Sequence, residues 1–177
     1  MKPADIFEEI VKIGIGKAES PLKKLIILGL FAGVYIAFAG AGANMAAYSL
    51  FGDPNTYGLG RVLSGTVFTG GLAMVVLAGA ELFTGNTLIS AAVLERRTSV
   101  GKMLRNWVVV YIANFFGSVL IAALVYYSGA MNAADGLLGA MTLKIANGKV
   151  NLTFLQCVLS GILCNWLVCL AVWISTG

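Results

Sequence analysis

The sequence predicts an all-α integral membrane protein: a bundle of four transmembrane helices, the second of them interrupted. Three observations carry that prediction. Hydrophobic residues make up 59% of the chain and charged residues 11%, with a mean hydropathy of +0.89, outside the range of ordinary soluble domains. Four apolar stretches, each at least as long as the ~20 residues a helix needs to cross a bilayer core, alternate with polar segments. The 33 residues from Val62 to Leu94 carry one charge, Glu81, and place it beside Gly79 and Gly85. That stretch overshoots a single straight span. Backbone freed from a helix at membrane depth must be satisfied inside protein or beside a water-filled cavity. An interrupted helix carrying an acid therefore points to a permeation pathway rather than a plain anchor.

The elements follow in order. Residues 3–18 predict an amphipathic helix: Pro3 suits a first turn, Asp5, Glu8 and Glu9 favour its positive end, and lysines 12 and 17 fall late. Ile6, Ile10 and Ile13 form an apolar stripe flanked by Phe7 and Val11, as in a helix lying on a membrane surface. Residues 1–19 are accordingly assigned to this surface helix and residues 20–177 to the membrane domain. Span one covers Leu25 to Ala47 and is rich in small residues, which let helices approach closely. Gly52-Asp-Pro-Asn55 marks a loop. Span two, the broken one, starts after Arg61. Span three covers Trp107 to Tyr127, with aromatic residues at both ends. About 24 residues of loop follow, long for a connector and suited to line a vestibule. Span four runs from Phe154 to Ser175.

Lysine and arginine are unevenly divided between the two sides. Positions 2, 12, 17, 23, 24, 96, 97, 102 and 105 fall on one side, and only 61, 144 and 149 on the other. The positive-inside rule places the N-terminus in the cytoplasm; the expected location is the cell's inner membrane. The net charge of +4 reflects these flanking residues and is no footprint for nucleic acid. The chain has no histidine and three cysteines. Cys157, Cys164 and Cys169 lie in or beside one span and read as small buried residues, not as a disulfide or metal set. No cofactor is expected, and no enzymatic activity.

Few residues carry chemistry. Glu81 needs hydrogen bonds or a proton at that depth. It reads either as a brace holding free backbone N–H groups or as a proton relay. Thr84, Asn86 and Thr87 can also satisfy broken backbone, and Thr84 can offer its hydroxyl to a passing solute. Leu82 and Phe83 place bulky apolar groups at the same point, as a hydrophobic gate would. Asn165 is either an interhelical hydrogen bond or a solute-binding amide. Lys149 is either a solvated charge or, in a low-dielectric funnel, a means of concentrating anions.

Val76-Leu-Ala-Gly-Ala-Glu-Leu-Phe-Thr-Gly85 and Gly161-Ile-Leu-Cys-Asn-Trp-Leu-Val-Cys-Leu-Ala171 resemble the two signature stretches of the formate/nitrite transporter family. The likeness extends over the amphipathic helix, all four spans and Gly148-Lys-Val150. Within the family the chain most resembles the bacterial hydrosulfide channels. The resemblance implies an aquaporin-like subunit of six spans, assembled as a homopentamer with a pore in each protomer. It also implies passive flux of small monovalent anions or their conjugate acids: formate, nitrite, hydrosulfide. Carried over by residue, Leu82, Phe83 and Thr84 belong to the interrupting loop and inner constriction, and Phe68 and Leu72 to the outer one. Lys149 is the vestibule lysine, and Asn165 the amide facing a central histidine. That histidine lies in a fifth span of the family. This sequence shows four spans and no histidine, so the expectation is a fragment whose partner piece supplies two further spans.

Rival readings are a neutral-solute channel of aquaporin type and a non-transporting anchor subunit of a redox enzyme. The first would need two Asn-Pro-Ala boxes, whereas proline occurs only at 3, 21 and 54. The second would need haem or cluster ligands, and neither histidine nor a suitable cysteine spacing is present. A plain helical scaffold leaves the polar break unexplained.

Overall fold

A computed structural model describes residues 2–177. In chain order its helices are α1 (Pro3–Glu19), α2 (Leu22–Ala47), α3 (Pro54–Leu77), α4 (Phe83–Asn86), α5 (Ile89–Leu94), α6 (Val100–Tyr127), α7 (Leu137–Val150) and α8 (Phe154–Thr176). Among the described residues, four helices are long and apolar enough to cross a membrane: α2 (continued by a short turn to Leu50), α3, α6 and α8. The interruption of the second span is the gap between α3 and α4.

Helix α2 is the centre of the bundle, packed between α6 and α3. Its buried face is made of small residues, including Gly29, Ala32, Gly33, Ala39 and Ala43. The facing side of α6 buries Asn106, Val110, Ala113, Gly117 and Ile121 at helical spacing. Small residues let the two backbones meet, which is how helices associate where lipid is as apolar as leucine. The approach is closest at Gly33 and Gly117. A Cβ built on Gly33 would overlap the carbonyl of Asn114, and one on Gly117 the carbonyl of Leu30. Both obstacles are backbone, so neither can swing aside. Gly117→Ala should therefore cost about 1–3 kcal/mol by forcing the helices apart. A lowered midpoint of thermal unfolding in detergent would register it; an unchanged midpoint would mean that the contact is looser than drawn.

Several boundaries differ from expectation. The second span begins at Pro54 and not after Arg61: Asp53 accepts the Asn55 N–H at 2.8 Å, capping a helix whose first residue is proline. The third span starts two turns early at Val100, where Ser99 accepts the Lys102 N–H. The long connector is not a loop throughout, because most of it is α7. Cys157 and Cys164 are exposed on α8 rather than buried, and Cys169 is half-buried. No residue of α8 is fully buried.

Helix α1 is more closely tied to the bundle than a surface helix need be. Its buried stripe is Ile10, Val11, Gly14 and Ala18, rotated from the expected Ile6–Ile10–Ile13 line, and Ile13 is left exposed. That stripe packs mainly on α5, with Gly14 against Ala92 and Ile89. Phe7 meets Trp173 of α8, ring centroids 6.3 Å apart. Glu8 pairs with Arg97, and Glu19 with Lys102. The hydrogen bond from Arg97 holds the Glu8 carboxyl below the usual carboxylate range. A lowered carboxyl pKa stabilises the fold above the unfolded value and loses that contribution as pH falls through the folded one. Both pairs are exposed, so they guide docking more than they hold it.

Candidate functional site: the broken helix and the groups that hold it

The break begins with a specific helix stop. Gly79 adopts φ +71°, the left-handed conformation that costs glycine no Cβ clash. The N–H of Ala80 reaches back to the Val75 carbonyl at 2.9 Å, and that of Gly79 to Val76 at 3.3 Å. This paired pattern is a Schellman stop. The chain then runs extended, with Leu82 at φ −102°, ψ 128°, until α4 resumes at Phe83.

Extended backbone at this depth must find partners across the bundle. The Glu81 N–H donates to the Leu28 carbonyl of α2 at 3.2 Å. Asn114 of α6 supplies most of the rest. Its Oδ1 accepts the Phe83 N–H at 2.9 Å, and its Nδ2 donates to the carbonyls of Glu81 and Gly29 at 2.9 and 2.8 Å. One amide thus satisfies a donor and an acceptor of the break and ties both to α2. Trp107 adds an indole N–H to the Asn86 carbonyl at 2.9 Å.

The Glu81 carboxylate does something else. It accepts from the Lys17 ammonium of α1 at 2.9 Å and from Asn86 Nδ2 at 2.7 Å. Asn86 is fully buried; its Oδ1 accepts from Lys17 at 2.9 Å and its Nδ2 also reaches Asn106 Oδ1 at 2.9 Å. Asn106 in turn donates to the Lys17 carbonyl at 2.9 Å. The expectation that Glu81 would hold free backbone N–H groups is corrected: it holds side chains, and its charged partner comes from outside the spans. The Glu81 side chain is 7% exposed and that of Lys17 26%. Burial at this level is tolerable because the Lys17 ammonium and the Asn86 amide replace water on the carboxylate, while Asn106 holds both of them in place.

The other candidates separate into two spaces. Leu72, Leu82 and Glu81 share a cavity of about 500 Å³ with Gly79, Lys17 and Val172, between α3, the break, α1 and α8. Phe83, Thr84 and Asn165 share a more open groove of about 810 Å³ between α4, α6 and α8. The Phe83 ring stands edge-on to Tyr111 and Trp107, at centroid distances of 5.2 and 6.2 Å. Asn165 Nδ2 donates to the Thr87 hydroxyl at 3.0 Å, which joins α8 to the break. The Thr87 hydroxyl donates to the Thr84 carbonyl at 2.7 Å. The Asn165 Oδ1 is enclosed and accepts no hydrogen bond among the described residues. Phe68, 44% exposed on α3, joins neither space. Lys149 is exposed at the end of α7 and also stands apart.

Asn114, Asn106 and Lys17 were not singled out from the sequence. Asn114 was findable, being a lone amide inside an apolar span, the same signal that marks Asn165. Lys17 was not, since nothing in an i, i+4 reading of α1 directs it to a carboxylate 64 positions away.

The chain is similar to curated transport proteins and to a solved channel structure. It is 37% identical over 181 residues to the uncharacterized transporter YrhG of Bacillus subtilis, covering 99% of this chain and 65% of that protein. It is 41% identical over 147 residues to the formate channel FocA of Haemophilus influenzae, covering 83% of this chain and 51% of that one. A solved pentameric formate channel with formate bound superposes with a TM-score of 0.76 at 33% identity, covering 86% of this chain and 59% of that structure. The chain therefore spans between half and two thirds of the length of these proteins. The family model described as "Formate/nitrite transporter" matches residues 4–177, and on that match, with the shared helical fold, the chain belongs to the formate/nitrite transporter family.

Proposed function

We propose that this chain forms the wall of a membrane channel for small monovalent anions or their conjugate acids, with formate, nitrite and hydrosulfide as the candidate solutes. The observation that carries the proposal is the broken second span. Its backbone is held open by Asn114 and Trp107, and it opens on one side to a cavity shared by Leu72 and Leu82. A helix break braced by this many side chains has a use for its irregular backbone. The names of the similar proteins, a formate channel and a pentameric formate channel with formate bound, support a small-anion solute and a homopentameric assembly; an aquaporin-like subunit of six spans completes the proposal.

In this reading Phe68 and Leu72 form an outer apolar constriction, and Leu82 and Phe83 an inner one. Thr84 offers a hydroxyl on the groove it shares with Phe83 and Asn165, and the Asn165 amide, whose Oδ1 is enclosed in this structure, lines the same groove. Apolar rings disfavour a bare anion, so passage is easiest for the protonated solute. Lys149 concentrates anions at the outer mouth. Glu81 is the brace and not the proton carrier, because its carboxylate is already committed to Lys17 and Asn86. The α1 side faces the cytoplasm of a cell with this protein in its inner membrane, in line with the charge asymmetry.

Flux of formate, nitrite and hydrosulfide into liposomes at two pH values tests the reading. Thr84→Val should reduce flux about tenfold, the loss expected for one hydrogen bond of ~1.4 kcal/mol at a constriction. Lys149→Gln should reduce it mainly at low anion concentration. Equal flux in wild type and Thr84→Val would remove Thr84 from the path, and glycerol permeation without anion flux would favour a neutral-solute channel.

A further inference from the structure

Among the basic residues near α1, the fold uses most. Lys12, Lys17, Arg97 and Lys102 each meet a carboxylate, and Arg105 donates to the Ser20 carbonyl at 3.1 Å. Lys23 and Lys24 are different. Both are exposed in the first turn of α2, and neither makes an ion pair or side-chain hydrogen bond among the described residues. They border a groove of about 470 Å³ whose other walls are Pro21, Ile27 and Leu28. The apolar face continues down the helix one turn at a time: Ile27 is 42% exposed and Phe31 48%, and the Phe31 ring stacks on Tyr35 with centroids 6.1 Å apart.

Two unneutralised ammonium groups above an apolar strip match one kind of partner: a molecule with an anionic head and a long apolar tail. We propose that this groove holds an anionic phospholipid, its phosphate on Lys23 and Lys24 and one acyl chain along Ile27, Phe31 and Tyr35. The lysines supply charge complementarity, worth about fivefold in affinity for each residue near a membrane surface. The strip supplies the tail contact and sets the depth at which the head sits. The α2 backbone that carries this site is the same backbone that accepts the Glu81 N–H at Leu28. A lipid seated there would rest directly behind the break.

The test is native mass spectrometry of the whole purified chain in detergent, titrated with phosphatidylglycerol and with phosphatidylcholine of the same acyl chains. Wild type should prefer phosphatidylglycerol by about 25-fold. K23Q/K24Q should erase that preference, because phosphatidylglycerol loses far more affinity than the zwitterionic phosphatidylcholine. Ile27→Trp, which fills the groove, should weaken both lipids, and Arg96→Gln should alter neither. A preference that survives K23Q/K24Q, or full lipid binding by Ile27→Trp, would overturn the proposal. Displacement of phosphatidylglycerol by excess glycerol 3-phosphate would assign the lysines to a free phosphate. Loss of the oligomer together with the lipid effect would assign the face to a second copy of the chain.

Discussion

Replacing Asn114 by alanine should destabilise the protein by about 3–5 kcal/mol. The side chain makes three hydrogen bonds of 2.8–2.9 Å to main-chain groups, two of them on the break. Without it, the Phe83 N–H and the Glu81 carbonyl are left unpaired in an apolar setting, at about 1–3 kcal/mol for each buried group. Gly29 keeps its helical bond and adds less. Unfolding in mixed micelles, read by tryptophan fluorescence, measures the loss. A change below about 1 kcal/mol would mean that water replaces the amide and that the break is wet at this point. Under the proposed channel function, flux should fall with stability, since among the described residues the segment from Ala80 to Leu82 makes no other hydrogen bond to α6.

The Lys17–Glu81 pair should be asymmetric. Lys17→Met leaves a carboxylate, 7% exposed, with only Asn86 to stabilise it, and should cost about 3 kcal/mol. Glu81→Gln leaves an ammonium that is 26% exposed, can turn to water and still has Asn86 as an acceptor. That variant should cost about 1 kcal/mol. The double variant should lie near Glu81→Gln alone, so the two changes are far from additive. Equal single losses, or a double loss equal to their sum, would show that the pair is not coupled as drawn. The same pair decides how α1 is held: its removal should expose residues 3–19 to proteolysis before the spans.

Much of this architecture was legible in the residues. The break was readable because length, charge and glycine coincide: 33 residues whose one charge, Glu81, lies between Gly79 and Gly85 exceed what a straight span can bury. The small-residue face of α2 was readable for a similar reason, since close packing in lipid demands it. The amphipathic character of α1 was also plain. Its buried line was not, because Ile6, Ile10 and Ile13 compete with Phe7, Val11 and Ala18 for the same helix face. Only docking on α5 selects between them. The helix within the 128–153 connector was missed because glycines and polar residues are mixed through it at turn-like spacing.

Periodicity, hydropathy and charge asymmetry determined the class, the four spans and the position of the interruption, because each is a local property of consecutive residues. Tertiary structure alone decided what holds the interruption open. Asn114 reaches Phe83 across 31 positions and Lys17 reaches Glu81 across 64, and no local pattern records a pairing at that separation. It also divided the candidate pore residues between two spaces, Leu72 and Leu82 beside α1, Phe83, Thr84 and Asn165 beside α6 and α8. The physical reason is the break itself: once the chain leaves the helix at Gly79, successive side chains no longer follow a 3.6-residue period, and their directions are set by the partners that capture the backbone.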